Sequence, residues 1–211
     1  EVDNTGGLRR YKSAAWDGIL GLGIARSKEA IGVPTPMEAL VQGGLLDKPI
    51  FAFHLGRCSL EDGCLGGELV LGGVEPEHYS GDFTFMNLVR DDSWAIQLDA
   101  VTIGGRPLSG SSAEEGGDTK GSVAILDSGT TLLAGPAKEV RRLARMVGAT
   151  RAVNGLYAVS CDTELQSLVF RSGGRDFAFN AEDLWVRRRG DLCILGVQSL
   201  GFQSDAWVLG L

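Results

Sequence analysis

The chain has 211 residues, of which 44% are hydrophobic, so it can bury the core of one large or two small domains. Charged residues make up 22%, which disfavours bulk disorder, and the formal net charge of −7 argues against nucleic acid or an anionic membrane as a partner, because both need basic surface. Many of the 31 glycines fall in pairs between short apolar runs, a pattern that predicts an all-β or β-rich fold with short helices. No apolar run reaches the ~18 residues that span a bilayer, and the polar start EVDN is unlike a signal peptide.

The first third of the chain predicts one helix and several strands. The segment WDGILGLG, residues 16–23, mixes three glycines with branched apolar residues, which predicts a strand that another backbone approaches closely. Thr35 and Glu38 form a capping box, so a short helix is predicted over Pro36–Gln42. The segments IFAFHL and ELVLGGV follow as predicted strands.

The middle of the chain predicts a strand, a hairpin and a loop. Apolar residues alternate at Trp94, Ile96 and Leu98, and the pair Gly104-Gly105 then predicts a hairpin turn. Residues 109–122 are polar and rich in glycine, so they are predicted to form an exposed loop.

The clearest predicted helix lies in AKEVRRLARMVG, residues 137–148. Its apolar residues recur at i, i+3, i+4 and i+7 from Val140 onward, Pro136 precedes it, and Gly148 is the predicted C-cap. The arginines at 141, 142 and 145 form a basic outer face, for which solvation is the simplest interpretation. A hairpin across Ser172-Gly173-Gly174 and a strand in WVLGL complete the predicted elements.

Four cysteines, Cys58, Cys64, Cys161 and Cys193, suit two disulfides in an oxidising compartment, with four free buried thiols as the alternative. Zinc is disfavoured because no C-x-x-C is present and His54 and His78 are isolated in sequence.

The segment SVAILDSGTTLLAGP places an acid, Asp127, directly after four apolar residues. A carboxylate in that position is costly unless donors surround it, and Ser128, Gly129 and Thr130 can supply hydroxyl and backbone N–H donors. One such acid does half of an acid–base task, whereas two carboxylates sharing a proton activate water and protonate a carbonyl together. The alternative is a structural aspartate that holds a turn.

The segment AILDSGTTLLAGP resembles the second catalytic motif of the pepsin-like (family A1) aspartic proteases. Further segments resemble that family in order along the chain from Ala14 onward: WDGILGLG, GGELVLGGVEPEHYSGDFTFMNLV, SWAIQLDAVTIGG, the pair Cys161 and Cys193, and SDAWVLG. The resemblance implies a pepsin-like bilobal fold with an incomplete N-lobe. Residues 1–77 are expected to form a partial N-lobe with inter-lobe strands, and residues 78–211 a C-lobe that is truncated at its end.

The resemblance also implies roles for individual residues. Asp127 is the expected catalytic carboxylate, and the expected disulfides are Cys161–Cys193 and Cys58–Cys64, although the second pair lies earlier than the family's usual small loop. No metal or cofactor is implied. Ser128, Gly129 and Thr130 are expected to support catalysis. Substrate binding is expected at Thr131, Ile125 and Ser93, although Ile125 could equally be a packing residue.

The family's first Asp-Thr-Gly and its flap are expected upstream of Glu1, since neither Asp17 nor Asp118 stands in such a motif. The implied function is therefore an aspartic endopeptidase of which this chain is a fragment or a processed form. Its expected partners are a peptide or protein substrate and the missing N-lobe segment. The expected location is the secretory pathway, an acidic lysosome- or vacuole-like compartment, or the extracellular space. A catalytically inert binding or structural subunit is the alternative, and a self-dimerising protease ranks below it.

Overall fold

The computed structural model describes residues 18–24, 32–56, 58–59, 63–64, 66–108, 122–152, 155–201 and 205–210, without the side chains of 58, 59, 63 and 64. Its contacts divide the chain into two units, Glu1–Asp82 and Phe83–Leu211. The assignment of residues 1–77 and 78–211 to two lobes stays a prediction.

Unit 1 contains a capped helix and short antiparallel strands. The predicted helix α1 is confirmed over Pro36–Gln42, where the Glu38 N–H donates to Thr35 Oγ1 at 3.2 Å and the Thr35 N–H donates to Glu38 Oε2 at 2.8 Å. The strands are, in chain order, β1 Phe51–Leu55, β2 Cys58–Ser59, β3 Gly63–Cys64 and β4 Gly67–Leu71. Strand β1 pairs with β4 and β2 with β3, so both predicted strands in this region are confirmed.

The prediction of a strand in WDGILGLG is wrong for residues 18–24, which form neither a strand nor a helix; Trp16 and Asp17 lie outside the described residues. A Cβ added to Gly18, Gly21 or Gly23 would meet nothing within 4 Å, so no described backbone approaches them. The physical reason is that an apolar run becomes a strand only where a partner completes its ladder and covers its face, and Ile19 is instead 79% exposed.

The described part of unit 2 contains two α-helices and most of the described strands. In chain order these are β5 Ala95–Gln97, β6 Ala100–Ile103, β7 Arg106–Pro107, β8 Val123–Leu126, β9 Leu133–Gly135, α2 Ala137–Met146, β10 Thr150–Arg151, β11 Tyr157–Ser160, β12 Leu168–Ser172, β13 Arg175–Phe179, α3 Ala181–Leu184, β14 Trp185–Arg189, β15 Leu192–Leu195, β16 Val197–Ser199 and β17 Ala206–Leu209. None of the described helices has the length and apolar character needed to traverse a bilayer.

The strands of unit 2 form three described sheets. One has the order β16-β9-β17-β8-β5, in which β8 runs parallel to β17 and β9 parallel to β16 while the other neighbours are antiparallel. The other two are antiparallel, with the orders β13-β12-β6-β7 and β10-β11-β15-β14. This strand-rich architecture confirms the predicted β-rich fold with short helices.

Both predicted glycine hairpins in unit 2 are confirmed. Gly104-Gly105 joins β6 to β7, and Gly173-Gly174 joins β12 to β13. In each pair both glycines have positive φ, +55° and +74° in the first and +58° and +74° in the second. Consecutive positive φ angles characterise the tight turn whose twist matches antiparallel strands, and glycine adopts them without steric cost.

Helix α2 buries Val140, Leu143 and Ala144, as its apolar spacing predicts. The C-cap is Val147, so the predicted C-cap, Gly148, lies one residue further on. Gly148 has φ +69°, the left-handed conformation that commonly follows a helix end and that glycine adopts most easily.

Trp207 on β17 is the centre of the core of unit 2. Its side chain is completely buried, and the Phe170 ring meets it edge to face with the centroids 5.1 Å apart. On another side a Cβ added to Gly135 would lie 2.5 Å from the indole, so glycine is required there. The indole Nε1–H donates to Glu139 Oε2 on α2 at 2.8 Å, which joins the helix to the sheet.

Glu139 is an acid held partly inside this core. Its pKa is raised above the usual 4.5, chiefly because burial disfavours the charged carboxylate. The hydrogen bonds from Trp207 and Ser122 oppose that rise, and the nearby charge of Asp205 adds to it.

The predicted disulfide Cys161–Cys193 is present, with a Cα–Cα distance of 5.0 Å. It ties the residue after β11 to β15, on strands that are already paired. For the other predicted pair, Cys58 lies opposite Cys64 in the β2–β3 ladder. Their side chains are outside the described part of the structure, so that disulfide stays a prediction.

We expect the double variant Cys161→Ala/Cys193→Ala to lower the free energy of unfolding by about 2–4 kcal/mol, because the bridge no longer restricts the unfolded chain. Urea unfolding under oxidising conditions measures the change. The same comparison in reductant is the control, where the difference should shrink. Equal unfolding free energies for the two proteins under oxidising conditions would contradict the prediction.

We expect Glu139 to contribute less to the free energy of unfolding as the pH rises above 4.5, because the pKa of its carboxyl group is raised in the folded state. Between the unfolded and folded pKa values the folded state binds more protons than the unfolded state, so raising the pH favours unfolding. Glu139→Gln should remove this component, while the exposed Glu164→Gln should not. Thermal unfolding from pH 4 to pH 7 measures it, and identical pH profiles for the two variants would show the expectation to be wrong.

Candidate active site

The acid predicted to be catalytic, Asp127, lies directly after β8 at an edge shared with β17. The two strands pair in parallel with Leu126 opposite Leu209, so their carboxyl ends lie together. The Asp127 N–H extends this pairing by donating to the Leu209 carbonyl at 3.1 Å. The backbone of Asp127 is therefore held by the sheet, and its side chain is half-buried at the strand end.

Both carboxylate oxygens of Asp127 accept hydrogen bonds. The Gly129 N–H donates to Oδ1 at 2.9 Å, and Thr130 Oγ1 donates to Oδ2 at 2.5 Å. The Thr130 N–H also donates to the Asp127 carbonyl at 3.2 Å, which closes a turn around the acid. Donors at both oxygens fix the orientation of the carboxylate.

Two glycines allow the backbone to pack closely around this turn. A Cβ on Gly129 would lie 3.1 Å from Asp127 Oδ1, which is tighter than ordinary contact. A Cβ on Gly210, just after β17, would lie 2.4 Å from the Thr130 carbonyl oxygen and 2.5 Å from that of Leu132. The backbone just after β17 therefore packs directly against the turn that follows Asp127, at a distance that only glycine permits.

Ser128 and Thr131 flank the turn with exposed side chains. Ser128 was proposed from the motif as a hydroxyl donor, but among the described residues the side-chain donor to Asp127 is Thr130. The roles of Ser128 in catalytic support and of Thr131 in substrate binding stay predictions.

Of the two predicted substrate-binding residues other than Thr131, Ile125 lies on β8 two residues before the acid, whereas Ser93 precedes β5 and lies outside the sheet. Strand β5 pairs with β8 so that Ala95 is opposite Ile125, and the Leu126 N–H donates to the Trp94 carbonyl at 2.9 Å. The Ser93 carbonyl accepts from the Ala95 N–H at 2.7 Å, in a turn just before the strand. Ser93 Oγ donates to Asp92 at 3.0 Å, and Ile125 is half-buried, so contact with a substrate stays a prediction for both residues.

One side-chain grouping lies outside what the sequence predicted. In unit 1 the rings of His54 and His78 stack with their centroids 4.0 Å apart, and His78 Nε2 lies 2.6 Å from Glu68 Oε2. The weak signal for this grouping is the pairing of His54 with Glu68 across β1 and β4. In the part of the chain that the structure describes, no group of three or more His, Cys, Asp or Glu side chains could hold a metal ion.

The described site can perform half of an acid–base reaction. An oriented carboxylate next to exposed small side chains can accept a proton from water or return one to a leaving group. Peptide hydrolysis requires both tasks in sequence, and a second carboxyl group sharing a proton with the first supplies the other.

We expect Gly210→Ala to destabilise the protein by about 2 kcal/mol or more, because the new methyl group meets backbone oxygens that cannot move independently of the turn. The exposed Gly201→Ala is the matched control, since a Cβ there meets nothing within 4 Å. Urea unfolding of both variants measures the difference. Equal stability of the two would mean that the turn is not packed against Gly210.

Comparison with known proteins matches the chain to the family model described as eukaryotic aspartyl protease over residues 3–211. Napsin-A of Mus musculus is 38% identical over 209 residues, which cover 95% of this chain and 47% of the relative. Rhizopuspepsin-4 of Rhizopus niveus is 35% identical over 200 residues, covering 94% and 46%, and cathepsin D of Homo sapiens is 32% identical over 208 residues, covering 95% and 48%.

The chain spans about half the length of these relatives. The matched range includes the Asp127 motif, both cysteines of the described disulfide and strand β17. The chain belongs to the family of eukaryotic aspartyl proteases.

Proposed function

We propose that Asp127 is one of the two carboxylates of an aspartic endopeptidase dyad, and that an Asp-Thr-Gly segment of the N-lobe supplies the other. The observation that carries this proposal is the geometry of the Asp127 carboxylate, which accepts hydrogen bonds at both oxygens from the turn that follows it. Membership of the aspartyl protease family supports the same assignment.

In the proposed reaction a water molecule lies between the two carboxyl groups. The ionised carboxylate takes a proton from the water as its oxygen attacks the peptide carbonyl, while the protonated partner gives its proton to the carbonyl oxygen. The resulting tetrahedral intermediate collapses when a proton passes to the leaving amine. The hydrogen bonds from Gly129 and Thr130 orient the Asp127 carboxylate, and an oriented carboxylate beside the water can accept its proton.

The substrates are proposed to be peptides or proteins, bound along the exposed side of the turn near Thr131 and Ser128, with Ser93 and Ile125 as further contacts. The location is proposed to be the secretory pathway, an acidic lysosome- or vacuole-like compartment, or the extracellular space. The disulfide Cys161–Cys193 supports an oxidising compartment, because such bridges persist there and are rare in the cytosol.

We expect the purified 211-residue chain alone not to hydrolyse an unstructured protein at acid pH, because one carboxylate cannot share a proton with a second. The complete natural protein should be active, and Asp127→Ala in it should lower kcat about 10³-fold or more. Cleavage of an unfolded substrate followed by mass spectrometry measures both.

The matched control is Asp162→Asn in the complete protein, which removes an exposed carboxylate from a turn outside the site and should leave kcat unchanged. Cleavage by the 211-residue chain that Asp127→Ala abolishes would contradict the requirement for a second acid. A folded but inactive complete protein would contradict the endopeptidase proposal and favour an inert binding or structural subunit.

A further inference from the structure

An open groove on unit 2 is lined by three arginines and a methionine. Its residues are Arg106, Arg142, Arg145 and Met146, and the cavity has a volume of about 490 Å³. Arg106 comes from β7, whereas the other three come from the last two turns of α2. We call these four residues the arginine groove. It belongs to neither the catalytic turn nor its supporting strands.

Helical spacing explains why three of the groove residues share one side of α2. Arg145 and Met146 follow Arg142 by three and four residues, so their side chains are neighbours on the helix surface. The turn after β6 then brings Arg106 to the same groove from a different element. Two elements distant in sequence therefore converge on one basic surface.

The positive charge of the arginine groove is not neutralised within the described residues. The ion pairs described there join His78 to Glu68 and Arg171 to Asp176, and none of the three groove arginines takes part in one. Glu139, which precedes Arg142 by one helical turn, is bonded to Trp207 instead. In a chain with a formal net charge of −7, this is a local concentration of the opposite sign.

A simple role at the helix end accounts for part of the groove. Arg145 lies in the last turn of α2, where a cation interacts favourably with the helix dipole. The helix dipole does not explain why Arg142 is half-buried, or why Arg106 on β7 lines the same groove. Met146 packs partly against the core and also lines the same space.

We propose that the arginine groove binds an acidic peptide segment of a partner protein, one with several carboxylates next to an apolar side chain. Guanidinium groups match carboxylates in charge and in the geometry of their donors. Met146 gives the ligand an apolar contact that an inorganic anion could not use. The proposal goes beyond the proposed proteolytic function and does not depend on it.

The test uses fluorescence anisotropy of a labelled hexapeptide with three glutamates around one leucine, at pH 7 and at two salt concentrations. We expect saturable binding to the wild-type chain that weakens as salt is raised, because salt screens exposed charges. The triple variant Arg106→Ala/Arg142→Ala/Arg145→Ala should weaken binding roughly tenfold or more, from the loss of three ion pairs. The control Arg187→Ala/Arg188→Ala/Arg189→Ala removes the same charge from exposed positions on β14 and should change binding by about twofold or less.

Further probes distinguish the possible ligands. A peptide with glutamines in place of the glutamates should bind at least about tenfold more weakly, and one with glycine in place of leucine should also bind more weakly. If both arginine triples lose binding equally, or the glutamine peptide binds as tightly, the proposal is overturned. Inorganic phosphate that displaces the peptide, together with unchanged binding of the glycine peptide, would overturn the peptide assignment in favour of a simple anion site.

The folding of each triple variant is checked by circular dichroism and thermal unfolding. If the groove triple does not fold, the single variant Arg106→Ala, which lies outside the helix, keeps the test decisive. It should weaken binding by about threefold, consistent with one exposed ion pair. An unchanged affinity for this variant would mean that Arg106 does not contact the peptide, and the proposed site would then be wrong.

Discussion

The parallel pairing of β8 with β17 is the interaction on which the candidate active site depends. It brings the carboxyl ends of two strands from distant parts of the chain to one edge, where the Asp127 N–H donates to the Leu209 carbonyl. The same pairing delivers Gly210 against the carbonyl oxygens of the turn. The backbone of Asp127 is therefore held by backbone hydrogen bonds and backbone packing, while the Gly129 N–H and the Thr130 hydroxyl orient its carboxylate.

A second layer holds β17 in place. Trp207 is enclosed by Phe170 from another sheet and lies over Gly135 on β9, while its indole N–H is satisfied by Glu139 on α2. The buried indole N–H of Trp207 would be costly without an acceptor, and the Glu139 carboxyl group provides one. Burial in turn raises the pKa of that carboxyl group. Desolvation of Glu139 therefore accompanies the hydrogen bond that holds Trp207, and with it β17, against α2.

Local patterns predicted local structure well. The capping box of Thr35 and Glu38 marked α1, and the pair Gly173-Gly174 marked a hairpin, because each is decided by residues a few positions apart. The motif around Asp127 was recognisable through family resemblance, and two of the three donors named from it, Gly129 and Thr130, bond the carboxylate in the structure. The bond from Trp207 to Glu139 and the position of Arg106 beside the arginines of α2 join residues far apart in sequence, so periodicity and composition do not predict them, although the basic face of α2 itself was predicted.

The order of strands in the five-stranded sheet has a consequence for biosynthesis. Strand β17 lies between β8 and β9, yet it is synthesised long after both. While the chain emerges from the ribosome, those two strands lack the neighbour that separates them, and their facing edges expose unpaired backbone groups to other chains. Pairing of such high contact order forms slowly. The turn that orients Asp127 therefore cannot be completed until β17 has been synthesised, and until then the edges of β8 and β9 are open to pairing with other chains.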